Sequence, residues 1–247
     1  MPFPLRARLS PEVTEAFFAR YVRKQWALPL STLPAAVVQR VAPRPGSDEA
    51  RYFARARFQG LPADGYSALF AAILDHPRID VALETPYLHA DRAHFDLCLT
   101  SMSMDLFYGF RFGPLPYRAV RFETAEEWPA PEGVGTISLS DHPRATRAHN
   151  WRVITGGGQG PAKVTVELPG APEAAGGARQ YPVHTLAGGE RLRLARYQNH
   201  AAREARTLRF IGRCGTFRYL NMDQVVAQSL VHATKLFGPA PRLGRAS

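Results

Sequence analysis

Residues 155–161 read Thr155-Gly156-Gly157-Gly158-Gln159-Gly160-Pro161, and the reading of this stretch decides the fold. A glycine run after a strand opens a dinucleotide-binding unit only when a helix follows, because the helix N-terminus supplies the N–H groups that hold a pyrophosphate. Here Pro161 is followed by Lys163-Val164-Thr165-Val166-Glu167, whose apolar residues alternate as in a strand. The glycines therefore read as a flexible hairpin loop between strands at 151–155 and 162–168. No other Gly-x-Gly-x-x-Gly occurs in the chain.

Working outward, 117–122 and 135–139 read as further strands, separated by Gly and Pro as in an antiparallel sheet. Toward the N-terminus, Ser10-Pro11-Glu12 has the form of a helix start, with Pro at the first helical position. That helix runs over 10–26, with Val13, Phe17, Tyr21 and Lys24 at helical spacing, and Pro29 ends it. A second short helix is expected over 31–40, with Leu33, Val37 and Val38 as its apolar stripe. Residues 44–62 read as loop, 66–74 as helix, and 79–83 and 95–99 as strands. The aromatic stretch 106–112 fits either type. Past Gly188-Gly189, a helix is expected over 190–206, a strand over 207–211 and a closing helix over 222–236, with Asn221 as its N-cap. The tail, 239–247, reads as disordered. The fold class is mixed α/β, in the α+β sense.

Composition narrows the function classes. The 247 residues are 45% hydrophobic, enough for a core. The formal net charge is +10, and the cationic excess is almost all Arg, since Lys occurs only at Lys24, Lys163 and Lys235. Arginine pairs bidentately with phosphate, so a phosphate-bearing ligand fits this balance. No run of five basic residues marks a nucleic-acid tail, and no apolar stretch approaches the ~20 residues of a membrane span. Cys98 and Cys214 are too few for a disulfide framework or a cysteine-rich metal site. The eight His residues are scattered without zinc-helix spacing. No metal site is expected, and the chain reads as cytoplasmic.

What remains is a set of arginines beside aromatics, a combination suited to a nucleoside diphosphate. At these residues the chain resembles the UDP-galactopyranose mutases, flavoenzymes that interconvert the six- and five-membered ring forms of UDP-galactose. Tyr21-Val22-Arg23-Lys24-Gln25-Trp26 is similar to the family's Y-T-R-K-Q-W, followed by Leu33-Pro34-Ala35 and Arg40. Tyr52-Phe53, then Phe58-Gln59-Gly60-Leu61-Pro62 and Gly65-Tyr66, resemble its Y-F … F-Q-G-x-P-x-G-Y. Phe112-Gly113-Pro114-Leu115-Pro116-Tyr117-Arg118 through Arg121-Phe122-Glu123 resembles F-G-x-L-x-Y-R-S-L-x-F-E. Tyr181-Pro182 resembles the end of Y-Y-P. Gly212-Arg213, Tyr219, Met222 and Gln224-Val225 resemble the closing G-R-L-x-x-Y-x-Y-Y-D-M-x-Q-V.

The resemblance implies roles. Arg40 and Arg147 would be the catalytic arginines gripping the UDP diphosphate. Tyr52, Phe53, Tyr181 and Tyr219 would contact the substrate, Trp26 would line the sugar and uridine region, and Tyr21 would help there. Arg213 and Met222 would face the FAD cofactor. The family's chemistry has reduced FAD attack the anomeric carbon through N5 and displace UDP, so the protein chiefly orients and neutralises. The resemblance implies an isomerase of cell-envelope polysaccharide biosynthesis.

Several positions depart from the pattern. A tyrosine is lost at Ala145, and the acidic and His residues after the arginine become His149-Asn150-Trp151. The T-G-x-I-D phrase becomes 100–105 without its glycine, and Phe217 and Leu220 replace two tyrosines.

The resemblance also implies a longer chain that opens with a Gly-rich, flavin-binding Rossmann half. The expected divisions are a helical substrate-binding region at 1–62, a partial FAD-domain segment at 63–105 and the substrate-side antiparallel sheet at 106–185. A C-terminal FAD-domain segment follows at 186–238, leaving an incomplete Rossmann-like portion. A truncated gene product, half of a split enzyme whose partner carries the Rossmann part, and a descendant without flavin remain open. A non-catalytic UDP-sugar-binding protein is the alternative function. The expected partners are UDP-galactose or a related nucleotide sugar, and a separate Rossmann-bearing chain or a second copy.

Overall fold

The computed structural model describes residues 10–35, 57–87, 89–157 and 163–238. Its first element is a helix in three parts: α1 (Pro11–Thr14), a π turn (Glu15–Ala19) and α2 (Arg20–Trp26). Ser10 caps it, its hydroxyl accepting from the Val13 N–H at 3.3 Å. The π turn closes i→i+5 bonds and inserts one residue, so the face that enters the core shifts. The buried positions are Thr14, Ala19, Val22, Gln25 and Trp26, with a five-residue step across the π turn and steps of three or four beyond it. The expected face is corrected accordingly: Val13 and Phe17 are exposed. Ala27 closes the helix in the left-handed conformation (φ 53), its N–H on the Arg23 carbonyl, two residues before Pro29. Leu30–Thr32 is a 3₁₀ turn; the rest of the helix expected over 31–40, beyond residue 35, lies outside the described residues, as do most of the 44–62 loop and the 239–247 tail.

Helix α3 (Gly65–Leu74) forms as the sequence reads. The strand expected over 79–83 does not form. Ile79, Val81 and Leu83 alternate in sequence but are all exposed, and alternation without a partner strand gives no ladder. A 3₁₀ turn (His89–His94) precedes β1 (Cys98–Thr100), which begins three residues later than expected. Within 106–112, the ambiguous aromatic stretch, the chain continues from α4 (Met104–Phe107) into turns.

The main sheet has five strands: β2 (Tyr117–Ala125), β3 (Thr136–Ser138), β4 (Arg147–Asn150), β5 (Val164–Gly170) and β6 (Tyr181–Pro182). Their order is β3-β4-β5-β2-β6, every pair antiparallel. The glycine run thus joins antiparallel neighbours, but its leading strand is β4 rather than 151–155. Residues Trp151–Ile154 form a single helical turn, α5. Asn150 is the cause: its side chain accepts from the Val153 N–H at 3.4 Å and starts a helix where Trp, Val and Ile would extend a strand.

The C-terminal part contains α6 (Gly189–Arg203), β7 (Leu208–Phe210), α7 (Gly212–Gly215) and α8 (Met222–Phe237). Asn221 and Gln224 form a capping box on α8. Strand β7 pairs in parallel with β1, Cys98 opposite Leu208 and Thr100 opposite Phe210. Gly215 is required here, since a Cβ at that position would stand 2.9 Å from the Thr100 carbonyl oxygen.

Two buried clusters flank the start of β2. One gathers Ala19, Val22, Trp26, Leu30, Leu33 and Val183. The other contains Met104, Phe107, Leu115, Tyr117, Tyr197, Leu208, Phe210 and Phe217. Beside the second, Asp105 is fully buried, its Oδ2 accepting from Arg179 Nη1 at 2.6 Å and from the Leu115 N–H at 2.8 Å. Apolar side chains are left uncovered on α3 (Phe70, Ile73) and α8 (Val226, Leu230, Phe237). No helix among the described residues is long and apolar enough to cross a membrane.

Candidate functional site

Helix α2 is held over the sheet by its own sequence. Lys24 donates through Nζ to the carbonyls of Leu139 (2.5 Å), Ala145 (2.8 Å), His142 (3.1 Å) and Ser140 (3.3 Å), tying down the β3–β4 connection. Burial pushes its pKa down. Arg118, on β2, donates from Nε to the Gln25 carbonyl at 3.1 Å and from Nη2 to the Lys24 carbonyl at 3.3 Å. A cation on the last carbonyls of a helix satisfies orphan acceptors and opposes the dipole. Tyr21 and Trp26 are thereby fixed above β4 and β6.

Around Trp26 an aromatic box closes. Its ring meets Tyr219 edge-on at 5.2 Å and Tyr181 at 6.1 Å, and these two tyrosines stand 6.0 Å apart. The Arg213 guanidinium covers both tyrosine rings, 4.9 Å from Tyr181 and 5.3 Å from Tyr219. Its Nε and Nη2 donate to the Leu220 carbonyl at 2.7 and 2.5 Å, with Nη1 3.5 Å from the Gln180 carbonyl. Arg213 is thus chiefly a clamp on the two rings. Trp26 is 4% exposed, so it backs Tyr181 and Tyr219 rather than presenting its own face.

Beside the box lies the Arg147 group. Arg147 Nη2 donates to the Tyr21 hydroxyl at 2.7 Å, its carbon lies 5.5 Å over the Tyr21 ring, and its Nε is 3.3 Å from Glu167 Oε2. Glu167 faces it directly across the β4–β5 ladder. Burial opposes charge on Arg147, but the Tyr21 and Glu167 oxygens outweigh it and its pKa goes up. Burial also opposes charge on Glu167; His149 and Arg147 outweigh it and hold the carboxyl below its ordinary range. The Tyr21 hydroxyl is pushed up, mainly by burial. Tyr181 lies within electrostatic reach of both Tyr21 and Arg147, which joins the two groups.

The structure therefore assembles Tyr21, Trp26, Arg147, Tyr181, Arg213 and Tyr219 from five separate stretches of chain. Met222 stands exposed at the first turn of α8, outside both buried clusters. Arg40, Tyr52 and Phe53 lie outside the described residues. Glu167 was missed, although a carboxylate among alternating apolar residues signals a paired charge on the buried face. Phe217, which replaces a tyrosine, is buried against Tyr117 (5.2 Å) and His184 (4.8 Å).

On the other side of Arg213, the loops that leave the carboxyl ends of β1 and β7 lie together. A Cβ on Gly215 would come within 3.3 Å of the Ser101 Cα. Ser103 Oγ in the same loop is buried with no hydrogen-bond partner among the described residues. The carboxyl ends of parallel strands are where open α/β sheets receive ligands, so this edge fits one side of a flavin ring. The described residues contain no Gly-rich strand-to-helix turn for a pyrophosphate.

A family model described as UDP-galactopyranose mutase matches residues 16–219. The chain is 30% identical over 224 residues to a probable UDP-galactopyranose mutase of Klebsiella pneumoniae, covering 90% of this chain and 57% of that protein. It is 28% identical to the dTDP-fucopyranose mutase of Escherichia coli, over 89% of this chain and 59% of the other. It is also 28% identical to the UDP-galactopyranose mutase of Mycoplasma pneumoniae, over 89% and 58%. The chain thus spans about three-fifths of the length of the curated relatives it matches.

Proposed function

Because the chain belongs to the UDP-galactopyranose mutase family, we propose that it carries the nucleotide-sugar site of an enzyme interconverting UDP-galactopyranose and UDP-galactofuranose. The observation that carries this reading is the junction of the Trp26–Tyr181–Tyr219 box with the Arg147 group. In it, Arg147 neutralises the diphosphate through the Nη hydrogens not directed at Tyr21. Tyr181 and Tyr219 present ring edges and hydroxyls to the sugar side, with Trp26 behind them. Arg40, Tyr52 and Phe53 complete the substrate contacts. Arg213 keeps the two tyrosines in place, so the sugar is oriented by a rigid wall.

Reduced FAD, when bound, supplies the nucleophile for the anomeric carbon. The loops 101–103 and 212–213 and the buried Ser103 hydroxyl support a ring-side contact to it, and the exposed Met222 is a further candidate for that contact. The pyrophosphate cradle belongs to a Gly-rich half, in the same longer protein or in a second chain. The uncovered apolar faces of α3 and α8 and the short β1–β7 pair are the surfaces such a half would cover. The same reading proposes a cytoplasmic protein.

The test is titration of the full chain with UDP-galactose, read by calorimetry and by tryptophan fluorescence. Saturable binding that Arg147→Ala abolishes supports the reading; its absence from a folded chain overturns it. Desalting after incubation with excess FAD, followed by a visible spectrum, tells whether this chain retains flavin unaided. The similarity to a dTDP-fucopyranose mutase favours a second reading, a thymidine diphosphate sugar as ligand. Competition between UDP-galactose and a dTDP-sugar separates the two.

A further inference from the structure

The charge on the Arg147 group is set by residues that the proposed function leaves unused. Glu167 lies between two nitrogen partners: Oε2 is 3.3 Å from Arg147 Nε, and Oε1 is 2.9 Å from His149 Nε2. The other imidazole nitrogen, Nδ1, is 3.1 Å from Thr136 Oγ1. The Trp151 ring lies 5.7 Å from the imidazole at a tilt of 32°. The groups facing His149 are thus Thr136 on β3, Glu167 on β5 and Trp151 at the start of α5. Arg147 on β4 and Tyr21 on α2 reach it through Glu167, and Tyr181 reaches it through Arg147 and Tyr21.

This arrangement accepts both protonation states of His149. With a neutral ring, Nε2–H donates to Glu167 and the Thr136 hydroxyl donates to Nδ1. With an imidazolium, Nδ1–H donates and the hydroxyl turns to accept. Arg147 is held as a cation by the Tyr21 and Glu167 oxygens, and the His149 and Arg147 contacts hold the Glu167 carboxyl below its ordinary range against the cost of burial. The group Arg147–Glu167–His149 therefore has no formal net charge with a neutral imidazole and one positive charge with an imidazolium. A diphosphate on the free Nη edge of Arg147 meets a neutral group in one state and a cationic group in the other. Its binding must favour the cationic state, and by linkage the favoured state takes up a proton.

We propose that His149, acting through Glu167, is a positioning residue that couples binding of a diphosphate-linked sugar at Arg147 to uptake of one proton. The inference rests on the nucleotide-sugar reading of this site and adds to it a pH dependence carried by a residue that departs from the family pattern.

The probe is UDP-galactose, whose diphosphate is esterified at both ends and does not titrate near neutrality. Its affinity for the full chain weakens about tenfold as the pH is raised, the size of an ordinary coupling between two binding events. His149→Gln flattens this profile. Calorimetry in buffers of different ionisation heat shows proton uptake by the wild type and none by H149Q. His149→Asn, a shorter replacement that likewise carries no titrating ring, gives the same flat profile and carries the test if H149Q does not fold. A flat wild-type profile, or a pH dependence that survives H149Q, overturns the coupling and leaves the nucleotide-sugar reading standing. No binding at any pH by a folded chain overturns both.

Discussion

Removing the carboxylate of Asp105 tests the core more sharply than any surface change. Asp105 is 0% exposed, and its oxygens accept from Arg179 Nη1 at 2.6 Å, the Leu115 N–H at 2.8 Å and the Leu106 N–H at 3.0 Å. Arg179 in turn lies 5.2 Å from the Phe110 ring and 5.1 Å from Tyr117. In Asp105→Asn one oxygen becomes an NH₂ group, which must face a donor in either orientation. Breaking a buried pair while leaving one charge in place costs about 3–5 kcal/mol. At a urea slope of about 3 kcal/mol per molar, the midpoint of unfolding falls by about 1–1.7 M. The assay is urea denaturation by far-UV circular dichroism, with Arg179→Met and the double variant alongside. The double variant is expected to be more stable than D105N, since it removes the stranded cation. A D105N midpoint within about 0.3 M of wild type, a loss under about 1 kcal/mol, would refute the assignment of Asp105 as the anchor of this core.

Other perturbations follow from the same contacts. Gly215→Ala puts a Cβ 2.9 Å from the Thr100 carbonyl oxygen, and a thermal melt should register a loss of about 1–3 kcal/mol. Trp26→Ala empties the centre of the first cluster and is expected to cost about 3–5 kcal/mol, while Trp26→Phe keeps the fold and tests by calorimetry whether the indole matters to UDP-galactose. Burial lowers the pKa of His184 below its ordinary 6.5, so its contribution to stability is fully present above 6.5 and is lost as pH falls through the depressed value. His184→Gln should therefore flatten stability against pH on the acid side of neutrality. Lys24→Met, which releases four carbonyls at 139–145, should raise amide exchange in that connection before it affects α6 or α8.

How far the sequence was legible depended on whether a segment's identity is local. The capped helix α8, helix α3 and strands β2, β5 and β7 carry their own periodicity and termini, and they form as read. Strand β4 was invisible because its residues, Arg147-Ala148-His149-Asn150, lack branched or aromatic side chains. Its place comes from the ladder on either side and from Glu167 on β5, which pairs with both Arg147 and His149. Residues 151–154 have the opposite character: strand-forming side chains overruled by one Asn cap. At the site, the resemblance brought Tyr21, Trp26, Arg147, Tyr181, Arg213 and Tyr219 to attention, and the structure gathers them. The same resemblance could not show that Arg213 serves the tyrosines, which depends on how α7 packs against β6, nor that Arg147 has Glu167 as its pair, which depends on strand register.

The wide turn at Glu15–Ala19 has a consequence for comparing this chain with others. A helix usually forbids insertions, since one extra residue rotates everything beyond it by about 100°. Here the added residue is absorbed by the five-residue step from Thr14 to Ala19, and Thr14 and Trp26 are both buried. The two halves of the helix are thus numbered independently. A relative with a regular helix would be matched correctly through Trp26 and be out of step by one before Glu15, so a single-residue gap belongs inside this helix when such chains are aligned.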